Sequence, residues 1–191
     1  MPKLGMEPIR RAALVKATID VIGAQGSLDV TVSQIAKQAG MSSALAHHYF
    51  GGKDQIFLAA MRQILRDFGA EVVAELSRAR TPRARAEALI GACFAPSCFD
   101  PATVSAWMTL YAQATTQPDM HRLLRLYQAR LRSNLTYALR PLSPDPVADA
   151  ETLSALIDGL YLRAALAGET DAPTAHSIAL RALDRLTGAN T

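Results

Sequence analysis

Thr31-Val-Ser-Gln-Ile-Ala-Lys-Gln-Ala-Gly-Met-Ser-Ser-Ala-Leu-Ala-His-His-Tyr-Phe-Gly-Gly-Lys53 is the stretch that decides how this chain is read. Thr31-x-x-Gln34 has the form of a capping box: the hydroxyl accepts from the Gln34 amide while the glutamine side chain reaches back. Gly40 supplies a left-handed stop. Ser42 then caps a second short helix running to about Tyr49, and Lys53 opens a third after Gly51-Gly52. Two short helices pinched around a glycine, the second polar and aromatic, have the layout of a helix-turn-helix DNA reader.

Working outward, Ile35, Ala36 and Ala39, with Leu45 or Ala46, are expected to pack on a preceding helix, the small alanines permitting close approach. Ser42, Ser43, Ala44, His47, His48 and Tyr49 are left on the exposed side. Hydroxyls and imidazoles hydrogen-bond to phosphates and base edges, and Ala44 suits a thymine methyl. Lys53 brings its ammonium and nearby backbone N–H groups to one phosphate. Alone, His47-His48 would suggest a metal or catalysis. Adjacent helical residues point about 100° apart and are poorly placed to chelate one ion.

Composition agrees with a DNA module joined to something else. The 191 residues fit one large domain or a small module fused to a larger one. Half are hydrophobic, which excludes a disordered chain. Residues 1–66 carry eight Lys/Arg against four Asp/Glu, residues 67–191 twelve against thirteen, and all four lysines lie within the first 53 residues. Cys93 and Cys98 make no CxxC motif and have no nearby histidine to complete a zinc set, so they are expected to be buried thiols, with no metal site. With no secretory signal and no apolar run approaching the ~20 residues of a membrane helix, a cytoplasmic location is expected.

Nothing reads as strand, whereas helix punctuation recurs. Glu7-Pro8 opens a helix bearing Leu14, Ala17, Val21 and Ile22, closed by Gly26. A long helix from Lys53 carries Ile56, Phe57, Ala60, Ile64, Phe68 and Val72. Later starts are marked at Pro82, Pro101, Pro118, Pro146 and Pro173. The expectation is an all-α protein of about nine helices, with a DNA-binding domain at 1–52 and a second helical domain at 53–191. Residues 146–188 suggest two amphipathic helices, loaded by Val147, Leu153, Leu156, Ile157, Leu160 and Leu166, then by Ile178, Leu180, Leu183 and Leu186. Gly159, mid-helix, costs about 1 kcal/mol relative to alanine and points to close packing there. Against an enzyme stands the absence of a nucleophile–base–acid set or Gly-rich phosphate loop. Against a scaffold stands the basic front with its polar third helix.

Arg11 through Lys53 resembles the N-terminal domain of TetR-family repressors, on Ala17, Gly26, Thr31, Ile35-Ala36, Gly40, Ser42, Tyr49-Phe50, Lys53 and Ile56. The resemblance implies that Thr31, His47, Tyr49 and Lys53 are mainly backbone contacts and that Ser33, Ser43, Ala44 and His48 are candidates for base readout. The chain departs from the family at His47, usually tyrosine, and at Tyr49, usually histidine. The resemblance also implies that the helices of 146–188 pair with a second copy, so that a homodimer reads a palindromic operator in double-stranded DNA.

Met1 through Arg11, Ser42 through Phe50, Trp107 through Asn134 and Leu156 through Leu166 further resemble the choline-responsive branch of that family, which represses glycine betaine synthesis. That branch implies a basic arm before the first helix, with Lys3, Arg10 and Arg11 along phosphates or in the minor groove; an ordinary solvated basic end fits the same charges. It also implies a small-molecule effector, choline, that relieves repression. A quaternary ammonium has no hydrogen-bond donor and is held by aromatic faces and a nearby carboxylate. Trp107 and Tyr111, with Phe94 and Tyr127 or Tyr161, are candidates for the cage, and Asp158 or Glu87 for the anion. The same i, i+4 aromatic stripe fits ordinary core, and another cationic or aromatic effector would use the same cage. His121 and His176 are read as surface or capping residues.

Overall fold

The computed structural model describes residues 5–25, 29–167 and 172–188, and among these the chain is all helix, with no strand. The order is α1 (Met6–Gln25), α2 (Val32–Gln38), α3 (Ser43–Phe50), α4 (Lys53–Arg78), α5 (Pro82–Cys93), a 3-10 turn (Pro96–Phe99), α6 (Pro101–Ala114), α7 (Pro118–Leu139), α8 (Pro146–Leu166) and α9 (Ala172–Thr187). Nine α-helices among the described residues match the punctuation of the sequence, because each start carries its own chemistry. Thr81, Asp100 and Asp145 cap α5, α6 and α8 by accepting from Ala84, Ala102 and Ala148, and a proline follows each cap. Proline at that point loses no intrahelical hydrogen bond and arrives with its φ already helical. Gly26, expected to close α1, lies outside the described residues.

The helices cluster into two compact units. One runs through Arg66 and takes in Asp100–Leu124; the other comprises Asp67–Phe99 and the described residues from Arg125 onward.

In the first unit α1 is the spine. Leu14, Ala17, Thr18 and Ile22 are buried at helical spacing, and the one polar member, Thr18, donates its hydroxyl proton to the Leu14 carbonyl at 2.7 Å. That bond removes the cost of burying an unpaired hydroxyl. α1 packs on α2 and most extensively on α6. Ile35 and Ala36 of α2 and Ala46 of α3 are buried as expected, while Ala39 and Leu45 are half-buried.

In the second unit α8 packs on α9 and both meet α5. Leu153, Ile157 and Leu160 of α8 and Leu183 of α9 are buried, and Arg83 of α5 pairs with Glu87 and with Asp184 of α9. Two expectations come out differently. Val147 and Leu166, assigned to the apolar face of α8, are 63% and 69% exposed. A Cβ on Gly159 would meet nothing within 4 Å. Among the described residues, this face of α8 has no packing partner at the glycine.

Candidate nucleic-acid interface and effector cluster

The reading motif is braced at each joint. The Thr31 hydroxyl accepts from the Gln34 amide at 3.2 Å, and the Thr31 amide donates to the Gln34 side chain at 2.7 Å. This is the capping box expected from the sequence. Gly40 has φ +67°, the left-handed region in which a Cβ is strained. Ser42 accepts from the Leu45 amide at 3.2 Å and so starts α3. Ser33 of α2 and Ser43 of α3 share a hydroxyl–hydroxyl hydrogen bond of 2.6 Å that joins the two helices directly.

At the far end of α3, Gly51 takes φ +82° and its amide donates to the His47 carbonyl at 2.7 Å. Its own carbonyl lies 2.9 Å from Nδ1 of His47. A carbonyl only accepts, so Nδ1 carries the proton and Nε2 is the ring nitrogen left to a partner. Thr31, Ser33, Ser42, Ala44, His47 and His48 are exposed, while Ser43, Tyr49 and Lys53 are half-buried. Tyr49 is occupied within the chain: Arg10 donates to its hydroxyl at 3.4 Å, and the Arg11 guanidinium lies 5.6 Å from its ring centre. α1 begins at Met6, so Arg10 and Arg11 stand on the first helix and not on an arm ahead of it. Lys3 lies outside the described residues.

The candidate effector residues fall into separate groups. In the first unit, Trp107 is buried and Tyr111 half-buried on α6, their ring centres 5.8 Å apart. In the second unit, Asp158 of α8 accepts from the Tyr127 hydroxyl at 3.5 Å and from the Gln128 amide at 3.4 Å. The Phe68 ring meets Tyr127 edge-on at 6.1 Å. Burial pushes the Asp158 carboxyl above the usual aspartate range, and the hydrogen bonds from Gln128 and Tyr127 offset only part of that rise. A half-buried carboxylate beside aromatic rings is chemistry suited to an organic cation. Tyr161 donates its proton to the Cys98 carbonyl at 2.8 Å, and its ring packs 5.2 Å from Phe99.

Phe94 and Glu87 line a different place, an open groove of about 950 Å³ between α4, α5 and α9 that also includes Glu71, Glu75 and His176. Glu87 is paired there with Arg83. His176 is half-buried, 6.2 Å from Phe94, whereas His121 is exposed. Phe68 and Gln128 are the members of the Asp158 cluster that sequence reasoning missed. Cys93 and Cys98 are both buried as free thiols. Burial raises both, that of Cys98 to about 11, which keeps them protonated and poorly nucleophilic. Among the described residues there is no group of three or more metal-ligating side chains, and no helix is long and apolar enough to cross a membrane.

With this geometry in place, relatives decide the family. Residues 14–60 match the family described as bacterial regulatory proteins, tetR family, and residues 82–188 match the BetI-type transcriptional repressor C-terminal family. The chain belongs to the TetR family. Its C-terminal match makes it a BetI-type repressor of that family, a DNA-binding transcriptional regulator. It is 52% identical to the HTH-type transcriptional regulator BetI of Brucella anthropi, over 93% of this chain and 91% of the relative.

Among solved structures, the TetR-type fold is shared with a transcriptional regulator from Pseudomonas aeruginosa PAO1. The TM-score is 0.82 at 25% identity, covering 97% of this chain and 93% of that one. It is shared also with a regulator from Saccharomonospora viridis solved in complex with choline. There the TM-score is 0.79 at 24% identity, covering 90% and 93% of the two chains.

Proposed function

We propose that this BetI-type repressor is a homodimer that represses glycine betaine synthesis from choline and leaves its operator when choline binds. The observation that carries the effector assignment is the Asp158–Tyr127–Phe68 cluster, where a half-buried carboxylate and aromatic rings meet. The choline complex of a protein with the same fold and the BetI relatives support the same ligand. Trp107 and Tyr111 of the first unit, and Phe94 and Tyr161 of the second, remain separate aromatic candidates, each for its own substitution to test.

The DNA-binding role falls to residues 1–52, with Thr31, Ser33, Ser42, Ser43, Ala44, His47, His48, Tyr49 and Lys53 as the contacts. Residues 53–191 bind the effector and dimerise. The exposed apolar residues of α8, with Leu162 at 38% beside Val147 and Leu166, support pairing through residues 146–188. A two-fold dimer reads a palindromic operator, and a repressor of this kind works in the cytoplasm. Release requires only that choline bind the DNA-incompetent state better than the competent one.

Calorimetric titration with choline tests the effector. Binding that falls at least about tenfold in Asp158→Asn and in Trp107→Ala is the expected result. Binding of another quaternary or aromatic cation, with none of choline, would leave the repressor and remove the choline assignment.

A further inference from the structure

We propose that Glu7 and Arg11 form a strut that sets the angle of the reading helix α3, and that Arg11 acts on DNA affinity by positioning and not by touching a phosphate. Nε of Arg11 donates to Glu7 at 2.8 Å, one helical turn back on α1. The same guanidinium lies 5.6 Å from the ring centre of Tyr49 and 5.1 Å from that of Phe50. One planar cation thus touches the last two residues of α3, and a carboxylate on its own helix fixes where that cation stands. Arg10, its neighbour, adds a donor to the Tyr49 hydroxyl at 3.4 Å.

Three features go beyond the exposed i,i+4 ion pair itself. A guanidinium stacks on rings through its faces and hydrogen-bonds through its edge, so Arg11 uses both at once, which a lysine cannot do. The paired carboxylate of Glu7 opposes the attraction between Arg11 and a phosphate. The rings it holds end the helix whose other end is tied to α2 by Ser33 and Ser43, so α3 is held at both ends. Tyr49 gains as well: with Arg10 donating to its oxygen, the phenol proton is the group left to donate outward.

The inference rests on DNA binding by this family and is tested on the whole chain. Binding to duplex DNA from upstream of the chain's own gene is followed by fluorescence anisotropy over a range of salt. Measurable wild-type binding is the control that separates failure of the strut from failure of DNA recognition. Arg11→Gln is expected to raise Kd about three- to tenfold with the slope of log K against log salt unchanged.

Glu7→Gln decides between the readings. Removing a negative charge near DNA strengthens binding by plain electrostatics, whereas the strut requires that it weaken binding in the same direction as Arg11→Gln. Arg11→Lys, which keeps the charge, is expected to restore less than half of the loss. Circular dichroism and melting of each variant keep misfolding separate, and Glu7→Gln, at an exposed site, leaves a test if Arg11→Gln folds poorly. A slope reduced by about 0.9 in Arg11→Gln with tighter binding by Glu7→Gln would make Arg11 a phosphate contact and overturn the proposal. Unchanged affinity in both variants would overturn it as well.

Discussion

Gly23 of α1 lies so close to Ala102 of α6 that a Cβ on the glycine would stand 2.5 Å from the alanine Cβ and 2.9 Å from its Cα. Two opposing effects meet at this position. Alanine in a helix is favoured over glycine by about 1 kcal/mol. Overpacking against backbone costs about 1–3 kcal/mol because Cα cannot swing away as a flexible side chain can. The second effect is expected to win, so Gly23→Ala should lower the melting temperature. A rise would show that α1 and α6 separate without cost.

The 2.6 Å bond between Ser33 and Ser43 links two residues expected to read bases. One hydroxyl donates to the other, so the pair retains one proton for DNA and not two. Ser33→Ala and Ser43→Ala should therefore be non-additive in operator affinity, with a coupling of about 0.5–1.5 kcal/mol in a double-mutant cycle. Additive losses would mean that each serine contacts DNA independently.

Local chemistry made much of this fold legible. The Thr31 cap, Gly40 and the prolines opening α5, α6, α7 and α8 act within one turn, and each expected start was met. What could not be read depends on tertiary partners. Nothing near Arg11 in sequence announces the rings of Tyr49 and Phe50, and Asp158 is 30 residues from Gln128. The grouping of α6 with the first unit rests on contacts such as Gly23 with Ala102, far apart in the chain. His176 did carry a signal: it stands beside the buried stripe Ala172, Ala175, Ala179 and Leu183, which marks a half-buried position and not a solvated one.

Gly159 offers a test of dimerisation through α8. A Cβ there meets none of the described residues within 4 Å, so Gly159→Ala should stabilise an isolated subunit by up to about 1 kcal/mol. If a second copy packs closely on this face, the same methyl obstructs it, and the dimer Kd measured by sedimentation should rise about tenfold. An intact dimer with a higher melting temperature would place the interface elsewhere.

The raised carboxyl of Asp158 gives choline binding a pH dependence of definite sign. Burial penalises the charged form in the folded chain, so its cost is present above the raised native pKa and is relieved as pH falls through it. A quaternary ammonium needs the charged form. Choline affinity should accordingly fall with pH from a point above the usual aspartate range, approaching tenfold per pH unit at its steepest. Asp158→Asn should bind choline weakly with no such dependence, and without ligand at neutral pH it should be at least as stable as the wild type. Equal pH dependence in both proteins would remove Asp158 from the site.

The proposed repressor exchanges two ligands, DNA and a small cation. The measurement that tests it most directly is a gel shift of the whole chain on the DNA upstream of its own gene, with and without choline. Retarded DNA that is released as choline is added is the predicted result. Retardation that no concentration of choline alters would contradict it.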